Sequence, residues 1–429
     1  MSVLQTNNRR GAGLIAGGAA AFLAVSGAVT VGANAAPAPA PAAKTTASCA
    51  PAEGVDAGTV KLGFISSFTG PNAPGFAGSW EAVQLRVGQE NAKGGINGRK
   101  IVLSKYDDNS NGATQITAVN QALERDHVLG LMNIVNAETM FPILAKSNVP
   151  TIGLSLPPTG VFRNAFGAAG TQSSAYTTTA GAKRMKEAGA TTIATVAFPV
   201  PAAIAAANGF AATLPLVGLK NGIAINDAPF GAYDATSTAL KLKQSGADGV
   251  YLVLQVDGGM SVMSAFKQQG VVMKAPYLAG LSDPVAIAKT NGGLDGAIGA
   301  TYGTVPAGVN RPGFRTYEHG MLAAGFNPYG PNPPSAYVAT DTMIKGLKLA
   351  GLCPTRDAVV NQLRKQKKIT GAGLLPAPIS YAPGLTPNGD PARCTWFITV
   401  QSGKMVPDKA PTCGDYVEVA TGKIVQAPK

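Results

Sequence analysis

Two adjacent carboxylates, Asp107 and Asp108, have the type and spacing that chemistry could use, because paired acids serve general acid–base catalysis. They lie in the stretch 91-NAKGGINGRKIVLSKYDDNSNG-112. In this stretch, glycines able to end a helix precede a turn, a short strand and then the two acids. Asp108, Asn109 or Ser110 can cap a helix that follows this strand. We therefore expect the two acids to form a strand-to-helix junction and not a catalytic centre.

Metal and cofactor chemistry finds little support elsewhere in the chain. The two histidines, His127 and His319, have no HxxxH partner and no cysteine close by in sequence, so we predict no metal site. The motif GxSxG is absent, as are the P-loop motif and GxGxxG after a strand, which removes the simplest arguments for a hydrolase, an NTPase or a dinucleotide enzyme. We predict no cofactor and no catalysis, with a cleft hydrolase of the amidase or esterase type as an alternative.

Composition favours a globular protein that does not bind nucleic acid. The 429 residues are 45 % apolar and 14 % charged, which is enough to bury the cores of two lobes. The net charge of +12 is spread along the chain, and the only dense basic run is 364-RKQKK-368. We interpret this run as a solvated helix end, because no aromatic-basic motif accompanies it.

The N-terminus has the pattern of an export signal. Residues 1–35 contain Arg9-Arg10, an uncharged run and then Ala33-Asn34-Ala35 as a cleavage site. Residues 36–58 form a Pro/Ala-rich linker that contains Cys49. We predict an extracytoplasmic protein, secreted or held in the cell envelope. An uncleaved N-terminal anchor and a lipid on Cys49 are the alternatives.

Four cysteines in an exported chain predict two disulfides, for which three pairings are possible. Cys394 and Cys413 flank a predicted hairpin, 395-TWFITVQSGKMVP-407, whose central Ser-Gly turn brings its two ends together. We therefore predict a Cys394–Cys413 bond, which leaves Cys49 to pair with Cys353.

The elements that must position any site follow an α/β pattern. From Thr59 onward, short apolar runs such as 60-VKLGFIS-66 and 249-GVYLVLQ-255 alternate with segments of helical periodicity, which is typical of parallel strands joined by helices. In the helix after Asp108, this periodicity places Ile116 and Val119 inward. Two such series and a helix-rich return predict two similar lobes, each a mostly parallel sheet flanked by helices.

Parallel sheets bind ligands beyond the carboxyl ends of their strands, so two facing lobes would enclose one cleft. We assign residues 59–168 and 304–375 to lobe I, and residues 169–303 and 376–429 to lobe II. Several crossings between these ranges would form a multi-strand hinge.

The sequence resembles the leucine/isoleucine/valine-binding proteins, which are solute receptors of ABC importers with the type I periplasmic binding fold. The resemblance spans roughly Val60 to Gln401, and its matching segments are 61-KLGFISSFTGPNAPGFAG-78, 89-QENAKGGINGRKIVLSKYDDNSN-111 and 149-VPTIGLS-155, with weaker ones at 161-VFRNAF-166, 246-GADGVYL-252 and 336-AYVATDTM-343. It implies a monomer that closes over a small solute and presents it to a membrane permease. A sensory ligand-binding protein that signals to a membrane receptor is an alternative.

The resemblance also implies which loops contact the solute. In lobe I these are the loops after the first, third and fourth strands, and the candidate residues are Ser67, Phe68, Phe76, Asn136, Ala137, Glu138, Ser155 and Leu156. In lobe II the corresponding positions are Pro199, Gln255, Asp257 and Leu281. Tyr302 and Tyr337 fit packing as well as ligand contact.

Lobe II departs from the family pattern where amino-acid receptors place tyrosines and an acid. An α-ammonium group buried without an anion is costly, although Glu138, Asp257 or Asp283 could replace the missing acid. The solute is therefore either a branched-chain amino acid or analogue, or a more apolar or aromatic carboxylate or amide.

Overall fold

The computed structural model describes residues 52–427, which belong to one contact-rich unit. The predicted signal peptide, most of the predicted linker and Cys49 lie outside the described residues. Between residues 52 and 427, no helix combines the length and the hydrophobicity that crossing a bilayer requires.

Lobe I contains a sheet of five parallel strands in the order β2-β1-β3-β4-β5. Its strands are β1 (Thr59–Ser66), β2 (Lys100–Asp107), β3 (Gly130–Ile134), β4 (Thr151–Gly153) and β5 (Ala165–Gly167). The central strands β1 and β3 are almost entirely buried, as expected for a parallel sheet with helices on both faces.

Lobe II contains a seven-stranded sheet in the order β14-β13-β11-β10-β9-β7-β8. Five of its strands are parallel, and the hairpin β13–β14 adds an antiparallel edge. The strands are β7 (Thr192–Ala197), β8 (Lys220–Ile225), β9 (Gly249–Val253), β10 (Ala275–Ala279), β11 (Ile298–Ala300), β13 (Phe397–Gln401) and β14 (Lys404–Pro407).

Two small sheets complete the β structure. One consists of β6 (Tyr176–Thr178), β16 (Tyr416–Glu418) and β17 (Lys423–Val425), and the other pairs β12 (Cys394–Thr395) with β15 (Thr412–Cys413). The β12–β15 pairing places Cys394 opposite Cys413, and the two form a disulfide. This confirms the predicted bond and the predicted hairpin, whereas the Cys49–Cys353 bond stays a prediction because Cys49 lies outside the described residues.

Helices cover both sheets, and the last three return to lobe I. The helix α12 packs against β3 and against the helices α2 and α13, so that most of its residues are buried in the core of lobe I. The helices are α1 (Ala73–Phe76), α2 (Ser79–Ala92), α3 (Gly112–Asn120), α4 (Phe141–Lys146), α5 (Pro158–Val161), α6 (Ala180–Glu187), α7 (Pro201–Thr213), α8 (Thr236–Gln244), α9 (Val256–Gln268), α10 (Pro284–Ala288), α11 (Pro312–Ala323), α12 (Asn332–Leu349) and α13 (Arg356–Leu363).

The start of α3 differs from the prediction. Asn111 is its N-cap, and the Asn111 side chain accepts hydrogen bonds from the backbone N–H groups of Ala113 (2.8 Å) and Thr114 (3.2 Å). Asn109 and Ser110 have positive φ angles of 48° and 55°, unlike the extended conformation that a cap requires. The side chain of Asp108 bonds elsewhere, so none of the three predicted residues caps the helix.

The inward face of α3 also differs from the prediction. Val119 is buried as expected, but Ile116 is 38 % exposed. The polar Gln115 is fully buried next to it, because its side-chain amide joins two loops at the edge of the sheet.

Candidate ligand-binding cleft

The loops that follow the parallel strands of each lobe lie at the carboxyl edge of its sheet, which is where ligands bind in this class of fold. Three segments of chain connect the two lobes, at residues 168–175, 301–306 and 376–393. The first and third are joined by hydrogen bonds from Thr171, whose N–H donates to the Asp390 carbonyl and whose hydroxyl donates to the Asn388 carbonyl.

Asp107 and Asp108 fix the first two loops of lobe I to each other. The Asp107 carboxylate accepts from the Phe68 N–H (2.9 Å) and the Thr69 hydroxyl (2.5 Å). Burial opposes ionisation of Asp107, but hydrogen bonds from Thr69 and from nearby backbone N–H groups outweigh it and lower the pKa. The acids therefore organise the loops, as expected for a strand-to-helix junction.

Ser67, a candidate ligand donor, takes part in this network. Its hydroxyl donates to the buried Asp108 carboxylate (2.6 Å), which also accepts from the Gln115 side-chain amide (3.2 Å). The same amide donates to the Ala137 carbonyl (3.1 Å). Ser67 and Ala137 thus lie in adjacent loops that one buried glutamine holds together, and the Ser67 hydroxyl is already engaged.

The two candidate phenylalanines pack within lobe I. The ring of Phe68 contacts Phe64 and Trp80, with centroids 6.0 and 6.5 Å away, and the Lys105 ammonium lies 3.9 Å from its centre. Phe76 ends the short helix α1 and is 6 % exposed in the lobe I core.

Two further candidates lie in the loop after β3. Asn136 is exposed, and its side chain forms no hydrogen bond within residues 52–427. Glu138 is half-buried and has neither a hydrogen bond nor an ion pair through its carboxylate in that range, so burial alone raises its pKa. Glu138 is therefore available to a ligand.

The loop after β4 packs against the first crossing. The Ser155 hydroxyl oxygen accepts from the Ala169 N–H (3.2 Å), and Leu156 packs against the apolar cluster around Phe141. Ser155 therefore helps to hold the hinge at the base of the cleft.

The lobe II candidates follow three strands of the second sheet. Pro199 is exposed after β7, and Leu281 is 2 % exposed in the lobe II core after β10. Gln255 and Asp257 stand at the start of α9, and the Gln255 side chain forms no hydrogen bond within the described part of the chain. Gln255 and Asp257 present polar groups at the sheet edge, whereas the side chain of Leu281 packs internally.

The charged side chains in the loops after β1–β4 and β7–β10 are all acidic. Between each of β1–β4 and β7–β10 and the first turn of the helix that follows, the chain contains no Lys, Arg or His. The charged residues there are Asp108, Glu138, Asp227, Asp234, Asp257 and Asp283. A protein of net charge +12 thus has acidic loops at the edge where a ligand would bind.

One hydrogen bond links the two lobes across this edge. The side-chain amide of Asn327, in the loop between α11 and α12, donates to Asp283 at the end of the lobe II loop after β10 (3.0 Å). The other carboxylate oxygen of Asp283 accepts from the N–H groups of Val285 and Ala286 and caps α10. The structure therefore has the lobes in contact beside the cleft.

Aromatic side chains at the lobe II edge were not predicted as a group. Phe198 and Phe230 stack with centroids 4.4 Å apart, and Tyr251 and Tyr277 stack on adjacent strands at 4.9 Å. Tyr302 follows β11 and is 42 % exposed, whereas Tyr337 is buried in the lobe I core. Tyr251 and Tyr277 come from separate strands, so the sequence alone does not show that they are neighbours. Their pairing follows from the strand register, which aligns the two residues.

Residues 52–427 contain no group of three or more His, Cys, Asp and Glu side chains arranged to bind a metal ion.

A family model described as periplasmic binding protein matches residues 59–404. The chain belongs to this family. The family match confirms the resemblance to periplasmic binding proteins, and together with the solved structures below it confirms the predicted α/β fold of two mostly parallel sheets.

Three solved structures show the fold shared by this periplasmic binding protein. The fatty acid ABC transporter substrate-binding protein from Thermomonospora curvata is 16 % identical with a TM-score of 0.70, over 88 % of this chain and 97 % of that one. A branched chain amino acid ABC transporter from Thermus thermophilus with bound valine has the same identity and TM-score, over 83 % and 97 %. A solute binding protein from R. palustris in complex with benzoate is 16 % identical with a TM-score of 0.66, over 83 % and 97 %. A search of curated protein sequences found no match.

Proposed function

We propose that the protein is an extracytoplasmic solute receptor of an ABC importer, which closes its two lobes over a small solute and delivers it to a membrane permease. The observation that carries this proposal is the family match over residues 59–404. The two carboxyl sheet edges and the contact between Asn327 and Asp283 support it. A ligand that contacts both lobes stabilises the closed state by its greater affinity for that state.

Binding is, in this proposal, accompanied by a hinge motion between the two lobes. In this proposal lobe I comprises residues 59–168 and 304–375, and lobe II comprises residues 169–303 and 376–429. The Tyr381 hydroxyl donates to the Gly167 carbonyl (2.8 Å), and the buried guanidinium of Arg364 donates to several backbone carbonyls, including that of Ala165 (2.8 Å). The Tyr381 bond fixes the third crossing to the end of β5 in lobe I. We propose that the protein acts as a monomer and catalyses no reaction.

Two solute classes fit the receptor. A branched-chain amino acid or analogue would place its ammonium group near Glu138, Asp257 or Asp283, all acids of the strand-end loops. A more apolar or aromatic carboxylate or amide would use the aromatic side chains of lobe II. The solved structures named for fatty acid, valine and benzoate show that this fold serves both kinds of solute.

Export and attachment complete the proposal. Residues 1–35 would be removed as a signal peptide. In the two alternatives, a lipid on Cys49 or an uncleaved N-terminus would hold the receptor at the membrane. A sensory role is the second candidate, and the genes beside this one would separate the two. Permease and ATPase genes support import, whereas a histidine kinase gene supports sensing.

The test is to purify the chain from Ala36, identify any co-purified small molecule by mass spectrometry and screen a solute library by thermal shift. A solute that binds only the native state raises the melting temperature by mass action. If no amino acid, aromatic acid, amide or lipid-like acid raises it at millimolar concentration, the receptor proposal fails.

A further inference from the structure

A group of tyrosines lies on one face of the lobe II sheet, under helix α7. Tyr251 on β9 and Tyr277 on β10 are opposite each other in the strand register, and their rings stack. Phe210 from α7 lies 4.3 Å from Tyr251, and Phe397 lies 5.5 Å from Tyr277, between ring centroids. These rings form an aromatic floor at the mid-height of the sheet.

Beyond this floor, toward the cleft, the same face of the sheet is only partly covered. Val253 and Ala279, each two residues after a tyrosine, point to the same side as that tyrosine and are partly exposed although β9 and β10 are interior strands. The α7 residues that face the sheet here, Ala203 and Ala207, are small and buried, and Tyr251 itself is partly exposed. A recess therefore opens from the tyrosines to the carboxyl edge of the sheet.

Tyr302 stands at the mouth of this recess. It follows β11 and crosses over Gly280, where a Cβ atom would lie 2.8 Å from the Tyr302 hydroxyl, so that only glycine leaves room for it. Although 42 % of Tyr302 is exposed, enough protein surrounds its hydroxyl to raise the pKa.

The three hydroxyl groups are uncommitted. Within residues 52–427, those of Tyr251, Tyr277 and Tyr302 have no hydrogen-bond partner, and none is among the buried oxygens sealed from solvent. Burial, with Tyr302 nearby, raises the pKa of Tyr251 to about 12, and burial also raises the pKa of Tyr277 well above its usual range. All three are therefore protonated donors at neutral pH, and a polar group aimed into an apolar site usually has a partner.

We propose that this recess binds an apolar solute that carries an uncharged oxygen acceptor, such as an amide or ketone carbonyl. The hydroxyl groups of Tyr251, Tyr277 and Tyr302 donate hydrogen bonds to this acceptor. The inference rests on the proposed receptor function and names the solute class for that site. A carboxylate fits less well, because no Lys, Arg or His lies in the strand-end loops after β1–β4 and β7–β10 and burial of an anion without a cation is costly. The acids of these loops would also repel it.

The experiment compares solutes that differ only in this group. Benzamide is measured against benzoate, and isovaleramide against isovalerate, by isothermal titration calorimetry on the chain from Ala36. We expect each amide to bind more tightly than its acid. Tyr251→Phe, Tyr277→Phe and Tyr302→Phe keep the ring and remove the hydroxyl, and each variant that loses a bond to the amide should bind it about three- to tenfold more weakly.

Two further variants separate a lost contact from a damaged fold. Tyr106→Phe is the matched control, because the Tyr106 hydroxyl donates to the Asp126 carboxylate within lobe I, away from the recess and the crossings, and its loss should leave affinity unchanged. Ala279→Leu should fill the recess and weaken amide binding by about tenfold or more, whereas Ala224→Leu, at an exposed strand position, should not.

The outcomes distinguish this inference from the receptor proposal. Tighter binding of the acids, no binding of either amide, or full affinity in all three tyrosine variants overturns the inference. If the library screen then finds another solute that raises the melting temperature, the receptor proposal stands without the recess. If the screen finds none, the receptor proposal itself fails.

Discussion

Lobe I and lobe II use their polar groups near the cleft in different ways. In lobe I, Asp107, Asp108 and Gln115 join three loops through hydrogen bonds, and the Ser67 hydroxyl is part of that network. In lobe II, the hydroxyls of Tyr251 and Tyr277 have no partner within the described residues. The difference suggests that lobe I is a preorganised platform, while lobe II retains unused donors that can select a solute.

The largest effect is expected from breaking the lobe I network. Asp108→Ala leaves the buried Ser67 hydroxyl without its acceptor and removes one of the two bonds of the buried Gln115 amide, which keeps only its bond to the Ala137 carbonyl. We expect the free energy of unfolding, measured in urea, to fall by about 3–4 kcal/mol. The control Asp257→Ala removes an exposed acid of lobe II and should change it by less than about 0.5 kcal/mol. Equal losses in the two variants would contradict the contrast between the lobes.

A somewhat smaller effect is expected from the disulfide on the lobe II side. Replacing Cys394 and Cys413 together by serine opens a loop of 19 residues in sequence separation, for which chain entropy predicts a loss of about 3 kcal/mol. Unfolding in urea, followed by circular dichroism, measures it. A stability equal to that of the unchanged protein would show that the hairpin and β12–β15 hold this region without the bond.

The contact between the lobes should affect binding more than stability. Asn327→Asp places a carboxylate against Asp283, while its side chain can still accept from the Tyr329 N–H as Asn327 does. Repulsion between the two acids disfavours closure, so we expect solute affinity to fall about tenfold, or about 1.4 kcal/mol.

A reciprocal swap tests whether the bond itself matters. In the double variant Asn327→Asp with Asp283→Asn, the donor and acceptor exchange sides, and the cap on α10 retains an oxygen acceptor. Affinity should recover in the double variant, as a double-mutant cycle would measure. If the double variant binds as weakly as the single one, the hydrogen bond does not control closure.

Features encoded by local pattern could be predicted, and features set by long-range pairing could not. The apolar run of β1 and the hairpin between Cys394 and Cys413 depend on neighbours in sequence, and both predictions are confirmed. Gln115 could not be predicted in this way. Hydrophobic periodicity assigns the inward position to Ile116, whereas the buried Gln115 is stabilised by Asp108 and Ala137, which lie 7 and 22 residues away in sequence.

The candidate site was predictable at the level of loops rather than side chains. Strand ends locate the cleft, but whether a hydroxyl is free depends on partners far away in sequence, such as Asp108 for Ser67, 41 residues away. Tyr251 and Tyr277 lie within strands and look like core residues until their register and exposure are known.

The smallest effect on stability, and the most direct test of the solute class, concerns Glu138. Burial raises its pKa in the folded state, so the native protein binds more protons than the unfolded chain between the two pKa values. Stability attributable to this group is therefore highest below the unfolded pKa and is lost as the pH rises toward the folded value. Glu138→Gln should remove this loss and raise the free energy of unfolding at pH 7, but not at pH 3. The gain should be a fraction of a kcal/mol, because the group is partly solvated, and a small rise in the melting temperature at pH 7 would measure it.

Binding by the same variant separates the two solute classes. If an ammonium group pairs with Glu138, Glu138→Gln should weaken binding of valine about tenfold or more, because the buried cation loses its charged partner, and leave isovaleramide unaffected. If the solute is held by the lobe II tyrosines alone, valine should bind weakly to both forms, and Tyr277→Phe should affect isovaleramide where Glu138→Gln does not. If Glu138→Gln weakens the binding of both valine and isovaleramide, the separation of the two solute classes is contradicted. Such a result would mean that the substitution had altered the lobe I platform and not only removed a charge.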